Sequence, residues 1–156
     1  MVRWLTAAEQ TTWSAYIRMR QRLEAAMAAG LARDGLSMPD YEIMVALSDR
    51  ALAPDGRMRA RDLAAEICWD KSRLSKHLAR MDTRGLIERA PADDDARGIS
   101  VCLTERGREA LQRAAPNHVE LVRQLFVDDL TADESTLLRT LSDRVATAAE
   151  ELADLD

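Results

Sequence analysis

The sequence predicts a mainly α-helical protein with one small β-hairpin, an α+β fold, and three observations carry that prediction. Ala, Leu and Arg are abundant while aromatic residues make up only 4% of the chain, a mixture that favours helix over sheet. Helix-start signals recur: Thr6 with Glu9, Ser37 with Pro39 and Asp40, and Thr131 with Glu134 are spaced as N-caps with an acidic third residue. The hydrophobic period shortens from the helical 3.6 to the strand value of 2 in a single stretch, residues 86–103.

The elements follow in order. Trp13, Tyr16, Ile17, Leu23 and Met27 recur at helical spacing, predicting a helix from about Ala7 to Ala29 that Gly30 ends. Tyr41, Ile43, Met44 and Leu47 give the second helix a buried face through about Asp49, and Ala53-Pro54-Asp55-Gly56 is a turn. A short helix spans Arg59 to Glu66. A further one spans Lys71 to Arg84, with Asp70 as its cap and Gly85 as its stop. Leu86–Arg89 and Ile99–Leu103 read as strands joined by a polar loop, 90–98. Thr104 caps a helix running to about Asp128 with Pro116 as a point of kinking, and the last helix carries Leu137, Leu138, Leu141, Val145, Ala148 and Leu152.

Two short helices joined by a tight turn and followed by a two-stranded hairpin describe a winged helix-turn-helix, here residues 36–104. The flanking segments, 1–35 and 105–156, are helices whose apolar faces exceed what one small lobe can cover, which predicts a dimerisation layer built with a symmetric second copy. On the helix after Asp70, Leu74, Leu78 and Met81 share one face and point to the core. Arg73, Lys76 and Arg80 lie opposite, with Ser72 and Ser75 near them and His77 at the flank. A helix fits the DNA major groove, where Arg reads guanine and Ser reaches bases or phosphates. An ordinary amphipathic surface helix would look similar. The following loop adds a second feature: Arg97 sits among acids at the hairpin tip, where it can enter a minor groove with Asp95 holding its guanidinium.

Charge distribution agrees with this. The chain has 156 residues and a net charge of −5, yet residues 57–91 hold nine basic groups against five acidic ones, and residues 104–156 six against twelve. A basic middle beside an acidic tail is an electrostatic footprint that whole-chain charge hides. The apolar runs are too short and too interrupted for a membrane span, and the N-terminus has no apolar run of signal-peptide length, which predicts a cytoplasmic protein. Cys68 and Cys102 are far apart and without a Cys/His cluster, so no metal or cofactor is expected and both read as small buried hydrophobes. His77 and His118 have no Ser, Cys or carboxylate constellation around them in the sequence, so no catalytic residues are expected and the chain does not read as an enzyme.

Residues 36–131 resemble the multiple-antibiotic-resistance-regulator (MarR) family of bacterial transcription regulators. The resemblance is carried by Leu63-Ala64, Ser75-Lys76-His77-Leu78, Met81, Arg84-Gly85-Leu86-Ile87, Asp94-Asp95-Ala96-Arg97 and Val101-Cys102-Leu103-Thr104-Glu105-Arg106-Gly107. It implies a homodimer whose reading helices enter successive major grooves of pseudo-palindromic double-stranded DNA, roughly 34 Å apart. It also implies Ser72, Arg73, Ser75, Lys76, His77 and Arg80 on the reading surface, Arg97 in the minor groove, and control by a small molecule or an oxidant, most often of a repressor. Trp13, Tyr16, Met38, Tyr41, Met44 and Trp69 are the candidate lining of an effector pocket for an aromatic or phenolic ligand; they also read as plain core. Alternatives are a protein-interaction module of the same fold, a sequence-tolerant architectural DNA binder, and a redox response through Cys68, which lies beside the turn between the two short helices.

Overall fold

The computed structural model describes residues 2–92 and 95–153, with backbone alone for 95–97 and 153. The order is α1 (Ala7–Arg33), α2 (Met38–Ser48), β1 (Arg57–Arg59), α3 (Ala60–Glu66), α4 (Lys71–Thr83), β2 (Ile87–Ala92), β3 (Asp95–Leu103), α5 (Glu105–Val122), a π-helical turn (Arg123–Val127) and α6 (Ala132–Ala153). The chain divides into two compact units, residues 1–120 and 121–156. The predicted α+β class and the winged helix-turn-helix are both present.

The caps act where the residue types place them. Thr6 and Glu9 exchange two hydrogen bonds at the start of α1, and Ser37 and Asp40 do the same at α2, each pair satisfying amides that have no helical partner. Asp70 accepts the Arg73 amide at 2.8 Å to begin α4. Three helices end in one motif. After α1, α3 and α4 the chain turns through a left-handed residue, Gly35, Cys68 and Gly85, respectively. The next amide then returns to the helix: Leu36 to Leu31, Trp69 to Ala64, and Leu86 to Met81. The expected stop at Gly30 is corrected by this. Gly30 lies buried inside α1, because Leu31 continues the core stripe from Met27 and the left-handed turn waits for Gly35.

The wing differs from the expected two-stranded hairpin. It is a three-stranded antiparallel sheet in the order β1-β3-β2, with Met58 opposite Val101 and Arg89 opposite Val101 on the other edge. The strands also run further than expected. β2 reaches Ala92 and β3 begins at Asp95, so the loop is shorter than residues 90–98. Pro91 is tolerated because β2 is an edge strand. The expected helix through Pro116 is unbroken to Val122 and passes into the π-helical turn.

The core of the first unit joins Leu31 and Leu36 to Ile43, Met44 and Leu47 of α2, Leu63 of α3, Leu74, Leu78 and Met81 of α4, and Ile87, Val101 and Leu103 of the sheet. Sheet and helices therefore grip α4 on one side only. In the second unit, α6 begins at a capping pair, Thr131 with Glu134, and leaves Leu137, Leu141, Val145 and Leu152 exposed.

Candidate nucleic-acid interface

The face that α4 turns outward follows from the face it buries. Leu74, Leu78 and Met81 are at most 2% exposed, which fixes the helix rotation and leaves Ser72, Arg73, Ser75, Lys76 and Arg80 exposed together. Two of these cations are held from behind. The Arg73 guanidinium lies 3.7 Å from the centroid of the Trp69 ring, a cation–π contact that aligns a planar donor fork. Arg80 Nη2 donates to His77 Nδ1 at 2.7 Å. On the other side of α4, a groove of about 300 Å³ is lined by Arg59, Arg61, Lys71, Ser75 and Arg89, with the wing residues Gly98 and Ile99. The surface is thus a protruding helix flanked by cations, a shape and charge that suit a nucleic-acid groove.

His77 is a correction to the expected reading surface. It is only 8% exposed and faces inward. Its Nε2 is 2.9 Å from Asp40 Oδ1, and its ring meets Trp69 edge-on at 5.6 Å. The sign was legible, since position 77 lies three after Leu74 and four before Met81, on the margin of the apolar stripe. Asp40 was read only as a cap residue, yet it is the centre of a buried cluster. Its Oδ2 accepts the Ser37 amide at 2.9 Å and Arg84 Nη1 at 2.7 Å, while Oδ1 faces His77. Burial pushes the Asp40 carboxyl up, but the Ser37 amide, Arg84, the Ser37 hydroxyl and His77 together outweigh it and hold it below the usual value. Arg84 Nη2 also donates to the Gly35 carbonyl at 2.7 Å, and Arg89 pairs with Asp82 at 2.8 Å. Two of the nine cations in the basic segment therefore brace the fold.

The six candidate effector-pocket residues do not come together. Trp13 and Tyr16 are half-exposed on α1, their rings 5.5 Å apart. Met44 is fully buried in the core, Met38 packs partly against it, and Tyr41 is buried with its ring 4.3 Å from His118. Trp69 alone lines the open cleft of about 780 Å³ that lies between the α1–α2 turn and α4, beside Arg73, His77, Arg80 and Arg84. The side chains of Asp95 and Arg97 lie outside the described residues; their backbone belongs to β3, and Asp94 lies outside them altogether. The cysteines are not the buried hydrophobes expected: Cys68 is exposed and Cys102 half-buried, because Cys68 occupies a turn that points its side chain outward. Among the described residues, no group of His, Cys, Asp or Glu could hold a metal ion, and no helix is long and apolar enough to cross a membrane.

No family model matches the chain, but individual proteins do. AbsC, a MarR family transcriptional regulator from Streptomyces coelicolor, superposes with a TM-score of 0.90 at 36% identity, covering 96% of this chain and 99% of that one. A second MarR family regulator of Streptomyces coelicolor, solved in complex with DNA, gives 0.89 at 37% identity over 95% and 91%. The transcriptional regulator PecS of Dickeya dadantii is 28% identical over 114 residues, 70% of this chain, and the match spans 64% of the PecS length. With the reading-helix geometry, the three-stranded wing and more than a third of residues identical over nearly the whole length, the chain belongs to the MarR family of transcriptional regulators.

Proposed function

We propose that the chain is a sequence-specific regulator that binds pseudo-palindromic operator DNA as a homodimer in the cytoplasm, acting as a repressor that a small aromatic or phenolic ligand releases. The observation that carries this is the outward face of α4, where Ser72, Arg73, Ser75, Lys76 and Arg80 stand exposed on a helix whose opposite face is locked in the core. Arg73 and Arg80 supply bidentate donors for base edges, Lys76 a point charge for phosphate, and Arg97, supported by Asp95, reaches the minor groove from the wing. The dimer is supported by apolar side chains left exposed on each unit, Trp13, Tyr16 and Met19 on α1 and Leu137, Leu141 and Val145 on α6. Ligand control is supported by the cleft beside α4, since an aromatic anion lodged against Trp69 would compete for Arg73 and Arg80 directly. No catalytic role is assigned to any residue.

Selection of bound sequences from random DNA, followed by titration at several salt concentrations, tests the reading. Expected is an inverted repeat bound at least about 10³-fold more tightly than random DNA, with affinity falling steeply as salt rises. Equal affinity for all sequences would mark an architectural binder, and no binding at all would leave a protein-interaction module. Arg73→Ala should cost about 1–3 kcal/mol and relax preference at one base pair. A uniform loss across sequences would make Arg73 a phosphate contact instead.

A further inference from the structure

We propose that His77 is a positioning residue for DNA reading: it holds the Arg80 guanidinium in place on the outer face of α4, while Asp40 fixes the ring in the one tautomer that can do so. This rests on the reading surface proposed above. Asp40 and His77 are the buried polar residues of the described chain, and burying such groups is unfavourable unless they are hydrogen-bonded. Asp40 gains its partners from Ser37, Arg84 and His77. The ring of His77 is engaged on both nitrogens, Nε2 with Asp40 at 2.9 Å and Nδ1 with Arg80 at 2.7 Å. A guanidinium only donates, so Nδ1 must accept and the proton must sit on Nε2, where it is donated to the carboxylate. Trp69, edge-on at 5.6 Å, closes the third side of the ring.

A role confined to stitching α2 to α4 would need Nε2 alone. The second nitrogen, turned toward an exposed cation on the reading face, is what separates positioning from packing. A free arginine on a helix surface samples many rotamers and loses that freedom on binding, and a relay that holds it beforehand lowers the loss. Arg80 is one helical turn from the core, three residues after its acceptor, and exposed, so the relay runs from a buried carboxylate to the DNA side of the helix within a single turn.

The test compares His77→Gln, His77→Asn, Arg80→Ala and the His77→Gln/Arg80→Ala double variant on the DNA selected by the unsubstituted protein. Glutamine keeps a donor near Nε2 and lacks an acceptor for Arg80; asparagine keeps an oxygen near Nδ1. His77→Gln and Arg80→Ala should each weaken binding roughly tenfold and relax preference at the same base pair. The double variant should be no weaker than Arg80→Ala, and His77→Asn should stay within about twofold of the unsubstituted protein. Unchanged binding by His77→Gln, a multiplicative loss in the double variant, or equal weakness of His77→Asn each overturns the proposal. Nitrogen-15 spectra of the histidine rings give a reading independent of DNA and of whether His77→Gln folds. His77 must be the Nε2–H tautomer, with an Nδ1 resonance that moves in Arg80→Ala; the opposite tautomer overturns the relay and leaves the DNA reading standing. If the unsubstituted protein binds no DNA, both fall.

Discussion

Cys68 holds φ at +53°, the left-handed region where an L side chain crowds its own backbone. It does so in the same turn that Gly35 and Gly85 complete after α1 and α4 at φ +73° and +71°. Relief of that crowding is worth about 1–2 kcal/mol, and glycine gives back roughly 0.5–1 kcal/mol through the freer unfolded chain. Since the thiol is exposed and no packing is lost, Cys68→Gly should raise stability by about 0.5–1 kcal/mol in urea unfolding. A neutral or lower midpoint would show the side chain to be engaged. His118 gives a pH prediction. Burial lowers its pKa below the ordinary 6.5, and its Nδ1 is buried without a hydrogen-bond partner among the described residues. The unfolded chain therefore takes up the proton first as pH falls, so the contribution of neutral His118 is complete above about pH 6.5 and is lost as pH drops through the lower folded value. The melting temperature should fall between pH 7.5 and pH 5, and His118→Phe, which keeps a ring against Tyr41, should narrow that difference. An equal fall in the variant would place the acid sensitivity elsewhere.

At the scale of elements, the contact between the end of α4 and the start of α5 decides where the wing stands. The Thr104 hydroxyl donates to the Gly85 carbonyl at 2.7 Å and accepts the Gly107 amide at 2.9 Å, and the Thr104 amide donates to Leu86. A Cβ on Gly107 would collide with the Leu86 carbonyl oxygen and lie 3.0 Å from its carbon; both are backbone atoms that cannot swing aside. Gly107→Ala should therefore cost about 1–3 kcal/mol as overpacking does and weaken DNA binding through the displaced wing. Gly85→Ala meets only the flexible Arg106 side chain, at an ordinary 3.8 Å, and otherwise bears only the left-handed strain, so it should be the milder of the two in the same melts. These contacts explain what was legible beforehand. Leu103 and Gly107 entered through the family resemblance, because Gly107 answers a close approach to Leu86, 21 positions away, while Thr104 could be read as a cap because that demand is local. Helix starts were legible for the same reason. β1 was not, since Arg57-Met58-Arg59 carries one apolar residue and becomes a strand only by pairing with β3, some forty residues away. His77 was misplaced, and the buried partners of Asp40 were missed, for a like cause. Polar residues read as surface until a partner distant in sequence satisfies them inside, and Asp40 meets His77 across 37 positions.

For the whole molecule, charge and apolar surface divide the work. The net charge of −5 would repel DNA if evenly spread, but acids collect in the last third while the outward face of α4 is cationic. The same last third carries the exposed apolar series Leu137, Leu141, Val145 and Leu152, spaced by four, four and seven residues and so aligned along one face of α6. An acidic surface with an apolar stripe suits association with a second copy. Leu141→Glu tests the assignment with little effect on the isolated chain, because the side chain is already 43% exposed and surface changes usually stay within about ±0.5 kcal/mol. In a two-fold interface the same change brings two carboxylates, one from each protomer, into an apolar seam, where neither has a partner. Light scattering at micromolar concentration should then find a monomer, against the dimer proposed for the unsubstituted protein. DNA affinity should fall to that for a single half-site, since the gain from joining two reading helices is lost with the dimer. A Leu141→Glu protein that stays dimeric would move the interface off this face of α6. One that becomes monomeric yet keeps full affinity would show that a single α4 suffices, and with it the inverted repeat would lose its physical reason.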